Sequence, residues 1–573
     1  MKKINIASAL AFVLAGGMTL SSCTSDFEKL NTNQTEVNPS DLPFSAQASE
    51  PMNYCYPPQE NMFQFWTNLT IDFYGGYFMT PNGNFTNGDM GENRGHSGGM
   101  YEDFYLHIFN NTRRIIADCD AKQQEGLAGV MRVVQAFGLM MCTDAYGPLA
   151  YSSIISGESE TSYAFDSQQK LYEQMIDELK KAETGIKAMS ADEKTTLGTF
   201  DVWCGGNTDR WLQVINTMKL RIALRLSKRV SEMAADGYDL KAMAKEAASN
   251  TLAVSNQDVL IDNSMNNEMA KMINNWGDCG FNANLVTLMT GFKDPRLPLF
   301  MTKNVGAITD TKTGTVTPAW SGYYGIRFAS GLPAKPNYTA NFSQWIYADM
   351  NSHVWNGANT MSAYSMARPI FKAAESYFLL AEAQLRGWIS TGRTLKDLYE
   401  TGIRVAMSNE LAYRGKWCGT TSYADGAVDA YINGTTPQSD FVDPGNSELN
   451  HKAMNHLGVK WDDNATNEEK LERIITQKFL ANFPLSNESW AEYRRTGYPR
   501  FFPPYVNESN GAVNSEEGVR RSIYSSNAYN SNAKGVEGGI ELLNKENTAK
   551  TGISGDKGGT HLWWDNANKG NFD

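Results

Sequence analysis

The chain has 573 residues, of which 41% are hydrophobic and 20% charged, and 51 Lys and Arg stand against 63 Asp and Glu for a net charge of −12. These proportions are those of a globular protein, and the length admits three or four domains or one large helical scaffold with long insertions. An acidic chain without a basic block is a poor nucleic-acid binder and is not drawn to anionic lipid headgroups, so any membrane association needs a physical anchor.

Met1 to Ser22 reads as a signal peptide: Lys2 and Lys3 form a basic end, Ile4 to Leu14 is mostly apolar, and small residues follow. Leu20-Ser21-Ser22-Cys23 resembles the bacterial lipobox, which implies a diacylglycerol on the Cys23 sulfur. At ~0.8 kcal/mol per buried CH₂, two or more acyl chains anchor stably. No later stretch reads as a run of 18 or more apolar residues, so the expectation is a chain anchored to a membrane and not crossing it. Residues 23–40 are polar and read as a lipidated tether, with Asp26, Glu28 and Glu36 among Asn and Thr.

Residues 61–87 are dense in aromatics, broken by Gly75-Gly76 and Pro81-Asn82-Gly83. Phe63, Trp66, Phe73, Tyr74, Tyr77 and Phe78 are too many for one helix face, so some are exposed or pack a second layer. Helical periodicity then takes over. Phe104, Ile108, Ile115 and Ile116 mark one helix, and Val130, Val133, Val134, Phe137 and Met141 mark its partner, ending at Asp144-Ala-Tyr-Gly-Pro148. A second pair spans 168–189 and 208–233, the latter carrying Arg221, Arg225 and Arg229 every four residues. Such a ridge is a solvated face or a set of internal salt bridges.

From 261 to 361 no 3.6-residue period is sustained, and Asp310 to Gly314 looks like a hairpin tip. This reads as a loop-rich lobe with short strands. Helices return at 370–388 and 395–408, and again from Asn467 to Thr496. In this last pair Pro484 ends the first helix, Ser486 or Asn487 can cap the second, and Gly497 and Pro499 stop it. Arg494 and Arg495 fall in its last turn, where the helix dipole favours cations. Residues 503–573 are rich in Gly, Asn and Ser, with Trp563-Trp564 near the end, and read as an irregular tail.

The pattern is therefore mainly α: four tetratricopeptide-like helix pairs at 101–143, 168–233, 370–408 and 467–496, with a loop-rich insertion containing short strands. Residues 41–573 form a single domain, its scaffold at 101–250 and 370–500. Four stretches together carry a resemblance: the Cys23 lipobox, Asp144 to Pro148, Ala374 to Trp388 (AESYFLLAEAQLRGW), and Ile475 to Arg500 with ITQKFLANF and ESWAEYRRTGYPR. They resemble the SusD/RagB family of nutrient-binding outer-membrane lipoproteins of Bacteroidetes. The resemblance implies a cell-surface lipoprotein that holds an oligosaccharide or oligopeptide as a lid over a SusC-like TonB-dependent transporter.

Catalytic signatures are missing. The six histidines, His96, His107, His353, His451, His456 and His561, form no H-E-x-x-H, and there is no G-x-S-x-G elbow or phosphate-binding loop. Asp462-Asp463 and Glu375/Glu382 are carboxylate pairs of the kind a glycosidase uses, which keeps a lipid-anchored surface hydrolase as the alternative. The reading is of a binder, not an enzyme. No cofactor is required. Acidic loops leave a structural calcium open, but no EF-hand spacing places one. No C-x-x-C occurs among the seven cysteines, which removes zinc-ribbon and thioredoxin readings and leaves one or two disulfides open. Cys119 and Cys142 read as small buried apolar residues. Since aromatic faces stack on sugars or peptide side chains, Trp66, Tyr74, Tyr77, Tyr323, Tyr324, Trp345 and Trp355 are the candidate ligand contacts.

Overall fold

A computed structural model describes residues 42–157, 162–262, 276–304, 306–318, 321–334, 338–345, 367–418 and 420–573. Cys23 and the tether lie outside the described residues. The chain divides into two units, 1–47 and 48–573. Of the first, residues 42–47 are described, and they open a helix at Phe44.

The second unit is built on four helix pairs: α1 (Asn110–Ala121) with α2 (Glu125–Tyr146), α3 (Gln168–Lys187) with α4 (Thr208–Arg225), α5 (Ala373–Leu385) with α6 (Leu395–Cys418), and α7 (Asn467–Ala481) with α8 (Ser486–Thr496). These are the pairs expected from periodicity. Three differ in detail, the third pair starting at Ala373 after a strand and running on to Cys418 where 370–408 was expected. The first is preceded by a π-helical turn, Phe104–Phe109, and the helix expected to run to Met233 breaks after Arg225 into a 3₁₀ turn, Ser227–Arg229. Helix α2 is long and apolar enough to cross a membrane, but 94% of its apolar window is buried. It is apolar all round because α1, α3 and α8 pack about it. Close approach to α3 depends on glycine: a Cβ on Gly185 would stand 2.2 Å from the Glu125 carbonyl oxygen. The N-terminus of α2 is satisfied from outside, since the Glu193 carboxylate accepts from the backbone N–H of Gly126 (2.9 Å) and Leu127 (3.2 Å).

Buried charge ties the pairs together. Arg225 of α4 is ion-paired with Asp144 at the end of α2 and donates to Glu488 of α8 at 2.6 Å. Arg221, one turn earlier, donates to Glu375 of α5 at 2.9 Å. Lys478 of α7 reaches Glu488 at 2.8 Å and Glu375 at 3.2 Å. Arg495 of α8 grips Glu382 of α5 through two bonds, 2.6 and 2.8 Å, and Glu492 at 2.6 Å. Arg221 and Arg225 of the ridge are therefore internal salt bridges. Arg495 lies in the last turn of α8 as expected, and there it is a fully buried clamp as well as a dipole partner. The capping expectation for α8 also fails: Leu485 is the N-cap and offers no side-chain bond. Gly497, at φ 81°, ends the helix as expected.

The lobe is less irregular than its composition suggests. Phe78–Met79 pairs with Gly280–Phe281, Val259–Ile261 pairs with Arg368–Phe371, and Ile308–Thr309 pairs with Val316–Thr317 around the expected tip at Asp310. It also contains a helix, Ala283–Gly291, buried on nearly every side and so without a readable apolar stripe. The tail holds a second unexpected helix, α9 (Ser526–Glu546), kinked at Asn532. Its glycines, which argue against a helix in sequence, admit its neighbours: a Cβ on Gly539 would stand 2.4 Å from the Phe165 ring. Cys55, Cys119, Cys142, Cys204 and Cys279 are free and buried.

Candidate functional site

At the end of α8, Gly497 turns the chain into Tyr498–Pro504, which crosses the lobe before the tail returns along it. A cavity of about 690 Å³ lies between these segments. Its aromatic wall is assembled from distant parts of the sequence. Tyr74 packs at 5.2 Å from the Trp490 ring and edge-on to Phe328 at 5.9 Å. Tyr493 stacks on Phe501 with centroids 4.4 Å apart and planes 18° from parallel. Phe501 can sit there because Gly76 has no side chain; a Cβ on it would lie 2.7 Å from Phe501 Cζ. Tyr74, Phe328, Tyr493 and Phe501 are half-buried, leaving part of each accessible, while Trp490 is buried behind Tyr74.

The floor is cationic. Arg494 donates to the carbonyl oxygens of Asp144 (2.7 Å) and Arg520 (2.8 Å), with its guanidinium 3.6 Å from the Trp490 ring centre. Lys228 is half-buried at the same cavity, and burial pushes its ammonium down to about 8, with Arg495, Arg520 and Arg386 adding to the shift and Asp565 opposing it. His561 on the tail side lies 3.3 Å from Glu517 and 3.4 Å from Asp565. Polar groups for hydrogen bonding come from Asn571 and Thr496, with Asn284 opposite.

The seven candidate aromatics fall in different places. Tyr74 lines the cavity. Tyr323 and Tyr324 are half-buried in the lobe, and Tyr324 packs on the cluster around Phe73 and Phe342. Trp355 lies outside the described residues. Three are interior and correct the expectation of ligand contact. Tyr77 is fully buried, donating to the Phe479 carbonyl at 2.5 Å. Trp345 is fully buried against Phe281, with Arg414 4.8 Å from its ring centre. Trp66 is 4% exposed and borders a small cavity of about 60 Å³. Trp66 and Tyr77 thus take the packed-layer alternative that the aromatic density of 61–87 left open, and the Phe78–Met79 pairing joins that stretch to the lobe that holds Trp345.

Asp72 shares that small cavity, and burial pushes its carboxyl up to about 7 against the hydrogen bonds of Ser486, Thr67 and Asn68. A folded-state value above the unfolded one of ~3.9 means that the folded state holds the proton more tightly. Its contribution therefore falls as pH rises from about 4 through 7. Asp72→Asn, which stays neutral, is expected to gain about 2–3 kcal/mol on wild type between pH 5 and pH 8, read from urea midpoints.

The paired carboxylates weighed for hydrolysis are engaged elsewhere: Glu375 and Glu382 hold buried cations, Asp462 accepts from the Asn464 N–H, and Asp463 accepts from Trp461 Nε1. Among the described residues no group of three or more His, Cys, Asp or Glu is placed to hold a metal ion. Sequence reasoning passed over Lys228, Tyr493 and Phe501 as site residues. Tyr493 sits inside the motif that seemed only to frame the scaffold and Phe501 directly follows it, and no periodicity marks rings whose partners are each other and Gly76.

A family model described as "SusD-like: Susd and RagB outer membrane lipoprotein" matches residues 27–565. Among solved structures, a chitin-binding SusD homologue from Flavobacterium johnsoniae is 27% identical with a TM-score of 0.74, covering 92% of this chain and 99% of its own. A SusD homologue from Bacteroides thetaiotaomicron is 26% identical with a TM-score of 0.77, covering 93% and 100%. One from Bacteroides ovatus is 27% identical with a TM-score of 0.73, covering 91% and 98%. No curated protein sequence matches.

Proposed function

Because the chain belongs to the SusD-like family of outer-membrane lipoproteins, we propose that it binds an oligosaccharide at the cell surface and passes it to a SusC-like TonB-dependent transporter, held to the membrane by lipid on Cys23. The observation that carries the binding half is the 690 Å³ cavity walled by the half-exposed rings of Tyr74, Phe328, Tyr493 and Phe501. Flat rings offer a face to the C–H surface of a sugar, and the cavity is of ligand-binding size. The chitin-binding homologue supports a glycan over other ligands. On this reading the protein binds without turnover.

Calorimetry with a panel of oligosaccharides and peptides tests it, with products followed in parallel. The expected result is a saccharide isotherm without products; turnover would instead favour the hydrolase. Tyr74→Ala should weaken the saccharide about tenfold, or about 1.4 kcal/mol, with an unchanged circular dichroism spectrum. Copurification from mild detergent tests the transporter: a protein that comes away alone counts against the delivery role.

A further inference from the structure

The same cavity carries more positive charge than the chain around it. Its wall holds seven Lys and Arg against three Glu, in a protein of net charge −12. We infer that it receives the carboxylate of an acidic sugar, a uronic- or sialic-acid type residue within the bound oligosaccharide; this inference rests on the glycan-binding reading above.

Three of the seven cations are neutralised by scaffold or tail acids. Arg495 is held by Glu382 and Glu492, Arg500 by Glu472 at 2.5 Å, and Arg520 by Asp565 at 2.5 Å. Lys550 is exposed and Lys569 is half-buried near the chain end with part of it still in water, which stabilises both. Arg494 and Lys228 are the exceptions. Arg494 is 3% exposed, bonds only carbonyl oxygens, and leaves Nη2 without a hydrogen-bond partner. Lys228 is half-buried, and among the described residues no carboxylate lies within ion-pair distance of it. Asp565 acts on both Arg494 and Lys228 only through space, not in an ion pair. A cation partly removed from water without a contacting carboxylate is costly, so a carboxylate entering beside Lys228 recovers energy that a neutral ligand does not.

The three wall acids do not compete for this role. Glu517 faces His561 at 3.3 Å and Thr551 at 3.2 Å, Glu468 accepts from Tyr498 and Asn571, and Glu516 is exposed. The stacked Tyr493–Phe501 pair supplies a flat platform on the same wall. A ring that carries both hydroxyls and a carboxylate uses the platform and the cation together, whereas a peptide terminus needs only the cation.

The test is calorimetry on the full protein at low salt. Oligogalacturonate, a glucuronate-bearing oligosaccharide and a sialyl oligosaccharide are each compared with their own methyl esters, which remove the carboxylate charge at the cost of one added methyl group. For at least one acid the expected preference over its ester is tenfold or more. It should shrink below threefold in Lys228→Gln and return in Lys228→Arg, with thermal unfolding of both variants unchanged. Equal binding of every acid and its ester overturns the inference, as does a preference that survives Lys228→Gln. If neutral saccharides bind and acids gain nothing, the carboxylate site fails and the glycan reading stands. If no saccharide binds but a peptide with a free C-terminus does, both fail.

Discussion

Replacing Glu488 by Ala is expected to cost about 3–5 kcal/mol of stability, the usual loss when one member of a buried ion pair is removed. Glu488 accepts from Arg225 and Lys478 and lies 3.6 Å from Arg221. Those cations are 0%, 2% and 3% exposed, so the variant leaves charge in the interior that water cannot reach. Loss of the methylenes adds little by comparison; the penalty is the uncompensated charge. Urea unfolding followed by circular dichroism measures it, and a loss under about 1 kcal/mol would mean that solvent enters the network. The pH dependence has a definite sign. Burial opposes ionisation of Glu488, yet Arg225, Lys478 and Arg221 outweigh it and hold the carboxyl down at about 2; Glu492 is held lower still by Arg495 and Lys478. A depressed folded-state value gives stability that is complete above the unfolded pKa of ~4.3 and is lost as pH falls toward 2. Wild type should therefore lose stability through that window, and Glu488→Ala should lose less of it.

The network explains which parts of the fold were legible. Apolar stripes placed the helices most directly where one face is buried, as in α1 and α3; α2, buried all round, is marked instead by its long apolar run. The lobe helix at Ala283–Gly291 and the tail helix α9 left no such record, the first because it is buried all round and the second because its glycines serve packing. Arg495 shows a different limit. A cation in the last turn of a helix looks the same in sequence whether it faces water or Glu382, 113 positions away. The aromatics divide for the same reason. Tyr77 and Trp345 could not be told from Tyr74 by type or spacing, since what separates them is whether Phe281, Phe483 and Phe479 close over the ring.

Trp564→Ala is expected to match the Glu488 effect, at about 3–5 kcal/mol for loss of a large buried ring, and to weaken ligand binding as well. Trp564 is fully buried, with the guanidinium of Arg494 4.9 Å and that of Arg225 5.3 Å from its ring centre. Its neighbours fasten the same segment: the Trp563 carbonyl accepts from Arg229 at 2.6 Å, and Asp565 holds Arg520. The RRTG motif and the Trp-Trp pair are thus two sides of one joint, and that joint positions the cavity wall formed by residues 561–571. Two outcomes differ in mechanism. If the tail were a separate strap, Trp564→Ala would raise proteolysis after residue 546 and lower affinity while leaving the main thermal transition in place. Because Trp564 rests on Arg225, which the helix pairs share through Asp144 and Glu488, the transition itself should shift downward along with affinity. Trp563→Ala provides the contrast: its ring covers Arg229, which is outside the buried network, so the tail should loosen with a smaller shift in the transition.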